Sequence, residues 1–288
     1  MKSKAFALIS LFIFCLSLSA QSQERKITHL RDNIYRFQDN KHFSIFIVGN
    51  SGYVMTDPLN LEAAQWLKKE VVKRFGKKPV RYLIYSHNHP DHISGGQGLV
   101  DAGTQVIAHR RADNDMRRNQ VSTVYPTLTF TDVLKFQFEG TEIELRYFGE
   151  NNGAGSITVF IPEKKFLFGV DWVLVKRLPW KEMYNYDFEG MIESLERLLS
   201  LYDFDMVAPG HSVVGKKSDL KQFHNYLKDL RQEVLAGMKK GLSLKQMQDQ
   251  ISLKKYKHFA MYKEWRKMNI KGAYDQLTQL SGRYGQPK

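Results

Sequence analysis

Cysteine is nearly absent from this chain: Cys15 is the single one in 288 residues. Residues 16–288 therefore offer no thiolate ligand, no cysteine nucleophile and no disulfide. Long apolar runs are scarce too. The run from Ala5 to Leu16 falls short of the roughly 20 residues that span a bilayer, and no later run is long enough either. Proline- or glycine-rich linkers, low-complexity stretches and internal repeats are missing, which argues against a string of separate modules. What is present is ordinary for a globular protein. The apolar fraction is 42%, and the length suffices for one large core.

The opening residues do not belong to that core. Met1-Lys2-Ser3-Lys4 is a short basic start, the apolar run follows, and Ser17-Leu18-Ser19-Ala20 supplies small residues. This order reads as a secretory signal peptide over 1–20, cleaved at or near Ala20. Phe14 stands before Cys15 where a lipoprotein signal places a small residue, so lipidation is not expected. The mature protein is then periplasmic or secreted.

The net charge is +13, and its location matters more than its size. Residues 21–214 carry 24 basic and 24 acidic side chains, whereas residues 215–288 carry 17 basic and 6 acidic. A basic last quarter reads first as a solvated helical face. It would also suit contact with an anionic surface. Nothing in the pattern points to nucleic acid.

Strands are expected over residues 34–37, 43–48, 53–57, 81–86, 105–108, 141–147, 156–161, 165–171 and 205–208. Ile143, Leu145 and Tyr147 alternate cleanly with Glu142, Glu144 and Arg146, as a half-buried strand requires. Helices are expected over 61–75 and 191–202 from apolar residues at helical spacing. Beyond His211 the pattern is helical only. Leu220, Phe223, Leu227, Leu230, Val234 and Met238 form one stripe ended by Gly241, and Ser243 with Gln246 resembles a capping box. Strands mixed with helices fit two sheets between helical layers. The expected organisation is a domain over 21–214 with a helical extension over 215–288 packed on or near it.

One segment is hard to explain structurally. His87, His89, Asp91 and His92 fall within six residues directly after the apolar stretch Tyr82-Leu83-Ile84-Tyr85. A strand delivers the chain to a sheet edge, where a loop can aim several side chains into one pocket. Pro90 stiffens that loop, and Gly95-Gly96 permits tight backbone beyond it. Imidazole and carboxylate suit zinc, and also non-haem iron or manganese.

The segment His87-Asn88-His89-Pro90-Asp91-His92, with Ser86 before it and Ile93-Ser94-Gly95-Gly96 after it, resembles the signature of the metallo-β-lactamase superfamily. That resemblance implies an α/β fold, a four-layer αββα sandwich, over most of the chain. It also implies one or two zinc ions. One would be held by the first two histidines and a later one, the other by Asp91, His92 and a final histidine, with an aspartate bridging both. Asp171, ending Phe166-Leu167-Phe168-Gly169-Val170-Asp171, looks like the bridging carboxylate. His211, ending Val207-Ala208-Pro209-Gly210-His211, looks like the final histidine. The departure lies between them. Aligned on Gly155, the position of the remaining histidine holds Asn152, with Asn151 the alternative one register away. An amide oxygen is a poorer donor than imidazole, so the first metal position is expected to be weakened.

Around the cluster, Asp57 reads as support for a ligand histidine or as an ordinary strand-end residue. Lys176 and Arg177 are candidates to receive a carboxylate or phosphate of the substrate. Tyr184 and Tyr186 could line the mouth. His29, His42, His109, His224 and His258 have no ligand-like neighbours in sequence and read as structural or surface residues. The chemistry expected is hydrolysis of an ester, lactone, lactam or similar bond in a small molecule, with Asp91 moving the proton. Two other readings stand beside it. One is a metal-binding but catalytically weak protein with a basic partner- or lipid-binding tail, which Asn152 favours. The other is a mononuclear iron oxygenase, which export disfavours.

Overall fold

A computed structural model of the chain describes residues 24–284; the leader read at 1–20 lies outside the described residues. Alternating and continuous apolar runs produce twelve strands among the described residues. Seven of them, in spatial order β1 Arg25–Arg31, β2 Ile34–Asp39, β3 His42–Val48, β4 Tyr53–Thr56, β5 Val80–Ile84, β6 Gln105–His109 and β7 Leu128–Phe130, make the first sheet. It is antiparallel from β1 to β4 and parallel from β4 to β7. The parallel steps need crossovers, which α1 Leu61–Phe75, the single turn α2 Pro90–Ile93 and α3 Arg110–Arg118 supply.

The second sheet has five strands: β8 Val133–Phe138, β9 Thr141–Tyr147, β10 Ile157–Ile161, β11 Phe166–Gly169 and β12 Met206–Pro209, running spatially from β12 to β8. Only β11 and β12 pair in parallel, and α4 Phe188–Leu201 lies in their connection. Helices α5 Lys217–Lys239, α6 Leu244–Gln250 and α7 Tyr262–Tyr284 follow.

Three apolar cores define the layers. Ile34, Ile45, Ile84, Ile143, Leu145, Val159 and Phe168 fill the space between the sheets. Ala63, Leu67 and Val71 of α1, with Ala112 and Met116 of α3, cover the outer face of the first sheet. On the far side Leu195 and Leu198 of α4 pack with Leu220, Phe223, Leu227 and Val234 of α5 and with Ile270 and Ala273 of α7. The result is a four-layer αββα sandwich whose last layer includes the helices of the C-terminal quarter. None of the helices among the described residues is long and apolar enough to cross a membrane.

The expected elements stand with small shifts that matter for function. The chain leaves the sheet before Asp57, Ser86 and Asp171, so these residues sit past the strand ends. Four elements give little sequence signal, among them the three-residue β7. Strand β1 buries only Ile27, and β8 lies at a sheet edge; α3 is arginine-rich with a narrow apolar face of Ala112 and Met116. Edges and thin stripes carry weak periodicity.

Candidate metal centre

Each side chain of the centre is delivered by the end of a strand. Beyond β5, His89 precedes the single turn α2, and Pro90 occupies its first position, where its fixed φ suits helix entry. That turn presents Asp91 to the cavity and folds His92 inward, fully buried. Behind it Gly95 has φ +83°, and a Cβ there would lie 2.2 Å from the Leu61 backbone nitrogen, so only glycine fits. Beyond β4 and β11, Asp57 and Asp171 take positive φ values of 29° and 62°. Backbone held in that region by the surrounding fold is common where a side chain must be aimed.

Asp171 is the hub. Its Oδ2 lies 3.1 Å from His87 Nε2 and 2.7 Å from His89 Nδ1. Its Oδ1 lies 2.8 Å from His211 Nε2 and 3.7 Å from His92 Nε2. One carboxylate thus faces two imidazole pairs, one with each oxygen. Asp91 Oδ2 sits 3.9 Å from both His92 Nε2 and His211 Nε2.

Asp171 Oδ1 and both amide atoms of Asn152 are buried here without hydrogen-bond partners. The contact of Asp171 Oδ1 with His211 is close in distance but is not aligned as a hydrogen bond. Convergent nitrogen and oxygen lone pairs with unsatisfied atoms are costly unless a cation sits among them. Imidazoles and carboxylates without thiolate fit zinc, iron or manganese. His87, His92 and Asp171 have ligand atoms close enough to share one ion.

Charge follows the same geometry. Burial pushes His87 down to about 4 despite the attraction of Asp171, so its ring is neutral and free to donate a lone pair. Burial acts to raise Asp171, but His87 and His211 hold it well below the usual carboxylate range. Burial likewise opposes ionisation of Asp91, yet a hydrogen bond from His42 and the nearby His92 and His211 keep it well below that range.

Asp57 is fully buried, accepts hydrogen bonds from Ser86 N at 2.8 Å and Ser86 Oγ at 2.6 Å, and lies 3.4 Å from His92 Nδ1. Ser86 Oγ in turn is 2.8 Å from His87 Nδ1. One carboxylate therefore braces the outer nitrogens of two site histidines.

Asn152 lines the cavity beside His89 and Asp171, whereas Asn151 turns into its own loop, bonding Gly149 O and the Asn152 amide. Of the two asparagines, Asn152 is the one that lines the cavity. Asn88, the spacer within the histidine motif, donates to Asp115 and accepts from Ala154 N at 2.8 Å, tying the 153–155 turn to the metal loop. Gly153, φ +64°, leaves no room for a Cβ, which would lie 2.8 Å from His89 Nε2.

A cavity of about 490 Å³ opens over the centre. Arg177 lines it, donating from Nη1 to His211 O at 2.7 Å and lying 5.0 Å over the Trp265 ring of α7. Lys176 does not line it: its ammonium is exposed and lies 3.5 Å from Asp219. That expectation is corrected, because neighbouring residues at a bend point in different directions. Tyr184 and Tyr186 do line the cavity, with Trp180 beside them; Tyr184 is 56% and Trp180 44% exposed at the rim. Helix α7 shapes this wall, since Asn269 Nδ2 donates to the carbonyls of Pro179 and Lys181.

A second correction concerns His42. Its sequence neighbours showed no ligand character, yet its Nε2 lies 3.2 Å from Asp91 Oδ2, and His42, Asp91 and His211 could together hold an ion. The only signal was its place at the start of a strand, which is too common to single it out.

The fold and the site together define a metal-binding αββα sandwich, and the chain belongs to the metallo-beta-lactamase superfamily, whose model matches residues 39–211. It is 27% identical over 185 residues to the alpha subunit of the 2,4-dinitroanisole O-demethylase of Nocardioides sp., covering 63% of this chain and 56% of that one. It is 27% identical over 214 residues to a type 2 metallo-beta-lactamase of Bacillus cereus, covering 70% and 82%. Among solved structures it resembles a sec-alkylsulfatase from Pseudomonas sp., with TM-score 0.70, 17% identity and coverage of 88% of this chain and 50% of that one. The matched region is thus only about half the length of the demethylase subunit and of the sulfatase. Hydrolysis is the family-level activity, and the residues present could hold a metal.

Proposed function

We propose that this chain is an exported, zinc-dependent hydrolase of small molecules that cleaves an ester, lactone, lactam or similar bond. The observation that carries this reading is the division of Asp171 between two imidazole pairs, His87 with His89 and His92 with His211, at the floor of an open cavity. A divalent cation held there would supply Lewis acidity and bring the pKa of a coordinated water to about 7.

The remaining work falls to the chain's own groups. Asp91, ionised and half-exposed toward the cavity, would orient a water and carry its proton to the leaving group. Arg177, fixed by His211 O and Trp265, would receive an anionic group of the substrate with its free fork. Trp180 and Tyr184 at the rim suit an apolar or aromatic body. Export rests on the leader read at 1–20.

The test is a panel of esters, lactones, lactams and sulfate esters given to metal-loaded wild type, Asp91→Ala and His211→Ala. Turnover by wild type alone is expected, rising through neutral pH. Equal turnover by all three places the activity elsewhere, and an inert wild type moves the non-catalytic metal-binding reading to first place. Bound zinc supports the hydrolase, and a single bound iron the oxygenase.

A further inference from the structure

We infer that His42 is a metal ligand: it supplies a third imidazole to the position formed by Asp91, His92, His211 and Oδ1 of Asp171. The position beside Asn152 keeps only two. This rests on the site being a metal centre and adds a donor that the sequence motif does not contain.

The distances support a shared ion. Ligands about 2.0–2.2 Å from one zinc lie no more than about 4.4 Å from each other. His42 Nε2 is 3.2 Å from Asp91 Oδ2, which is 3.9 Å from both His92 Nε2 and His211 Nε2. The ligand atoms of His42, Asp91 and His211 all lie within 4.8 Å of one another, a spread that needs only a few tenths of an ångström of side-chain adjustment to close on one ion. The His42 ring stands edge-on to His211, with centroids 5.0 Å apart, and to His92 at 5.9 Å. Imidazoles meeting a common ion approach each other in this manner rather than stacking.

His42 is also held in place rather than waving at the surface. The next residue, Phe43, donates its backbone N–H to Gly210 O at 2.9 Å, and His211 Nδ1 lies 3.3 Å from Lys41 O. Arg36 on the neighbouring strand stacks on Phe43 at 3.6 Å and donates to Pro209 O at 2.7 Å. The start of β3 is thereby clamped to the loop that carries His211.

The consequence is an asymmetric centre. Around Asp171 Oδ2 stand His87 and His89, and the weak amide of Asn152 lines the same cavity. His211 and His92 face Oδ1, and His42 and Asp91 join His211 on that side. Imidazole is a far better donor than amide oxygen for zinc, so the first ion to bind goes to the His42 side.

Ligand counting tests this without recourse to activity. Full-length protein stripped with chelator and reloaded with one equivalent of zinc is compared with His42→Ala and His42→Gln by X-ray absorption. Three imidazoles are expected in wild type and two in both variants. Gln keeps a polar partner for Asp91, so it separates a ligand from a mere hydrogen-bond partner. Zinc affinity should fall by more than the roughly 100-fold that loss of a supporting contact costs. Circular dichroism confirms that the variants are folded, as expected at a half-exposed position. An imidazole count unchanged by either substitution overturns the role of His42 while leaving the metal centre standing. A wild type that retains no metal removes the centre itself, and His42 with it.

Discussion

His92 Nε2 lies 2.8 Å from His211 Nε2, although 119 positions separate the two residues. Two ring nitrogens meet at that distance with a proton or a cation between them. The pair expresses a centre assembled from distant strand ends. The predictions below follow from how that assembly is supported.

Asp57 braces the centre from behind without reaching the cavity. It touches Ser86 and His92 and, through Ser86, steadies His87. Asp57→Asn should lower metal affinity or turnover by about 10–100-fold while the protein stays folded. Chelator competition measures this. An unchanged affinity would show that the histidines hold their orientation without the carboxylate.

Asn152 sets the stoichiometry. Wild type dialysed against a mild chelator should keep one tight equivalent and lose a second. Asn152→His should raise affinity for the second by at least roughly 10-fold, read by metal analysis and calorimetry. Two equivalents retained by wild type would refute the weakened-position argument.

His87 makes the metal-free protein acid-sensitive. Burial pushes its folded pKa down to about 4, whereas an unfolded histidine titrates near about 6.5. Between these values the unfolded chain binds a proton that the folded chain refuses. Its contribution to stability is therefore complete above about pH 6.5 and is lost as pH falls through 4. Urea midpoints of stripped protein should drop from pH 7 to pH 5, with a shallower drop for His87→Gln. Parallel pH profiles for the two proteins would clear His87 of this effect.

The C-terminal quarter carries 17 basic and 6 acidic residues, and Lys221, Lys228, Lys239 and Lys240 are exposed on α5 and at its end. If this surface contacts anionic lipid, binding to acidic vesicles should fall steeply with salt, because surface charge is screened over about 8 Å at physiological ionic strength. Absence of binding at low salt leaves these residues as a solvated face.

The sequence alone determined two sheets between helical layers and the cluster from His87 to His92, because both are written locally, while the four-layer αββα order came through the family resemblance. Period-two and helical patterns survive in any window that buries one face, and four ligand-type side chains within six residues leave few structural readings. Asp171 and His211 were legible only through the resemblance, since a polar residue at a strand end is by itself an ordinary turn residue. Tertiary structure decided the rest. It turned Asn152 rather than Asn151 into the cavity and sent Lys176 away from Arg177, because loop direction depends on what holds each backbone carbonyl. It brought His42 against Asp91 through a strand register that no spacing encodes. It also set α7 against the 177–183 wall through Trp265 and Asn269. Contacts of this kind join residues tens to more than a hundred positions apart, and only packing of the whole chain fixes them.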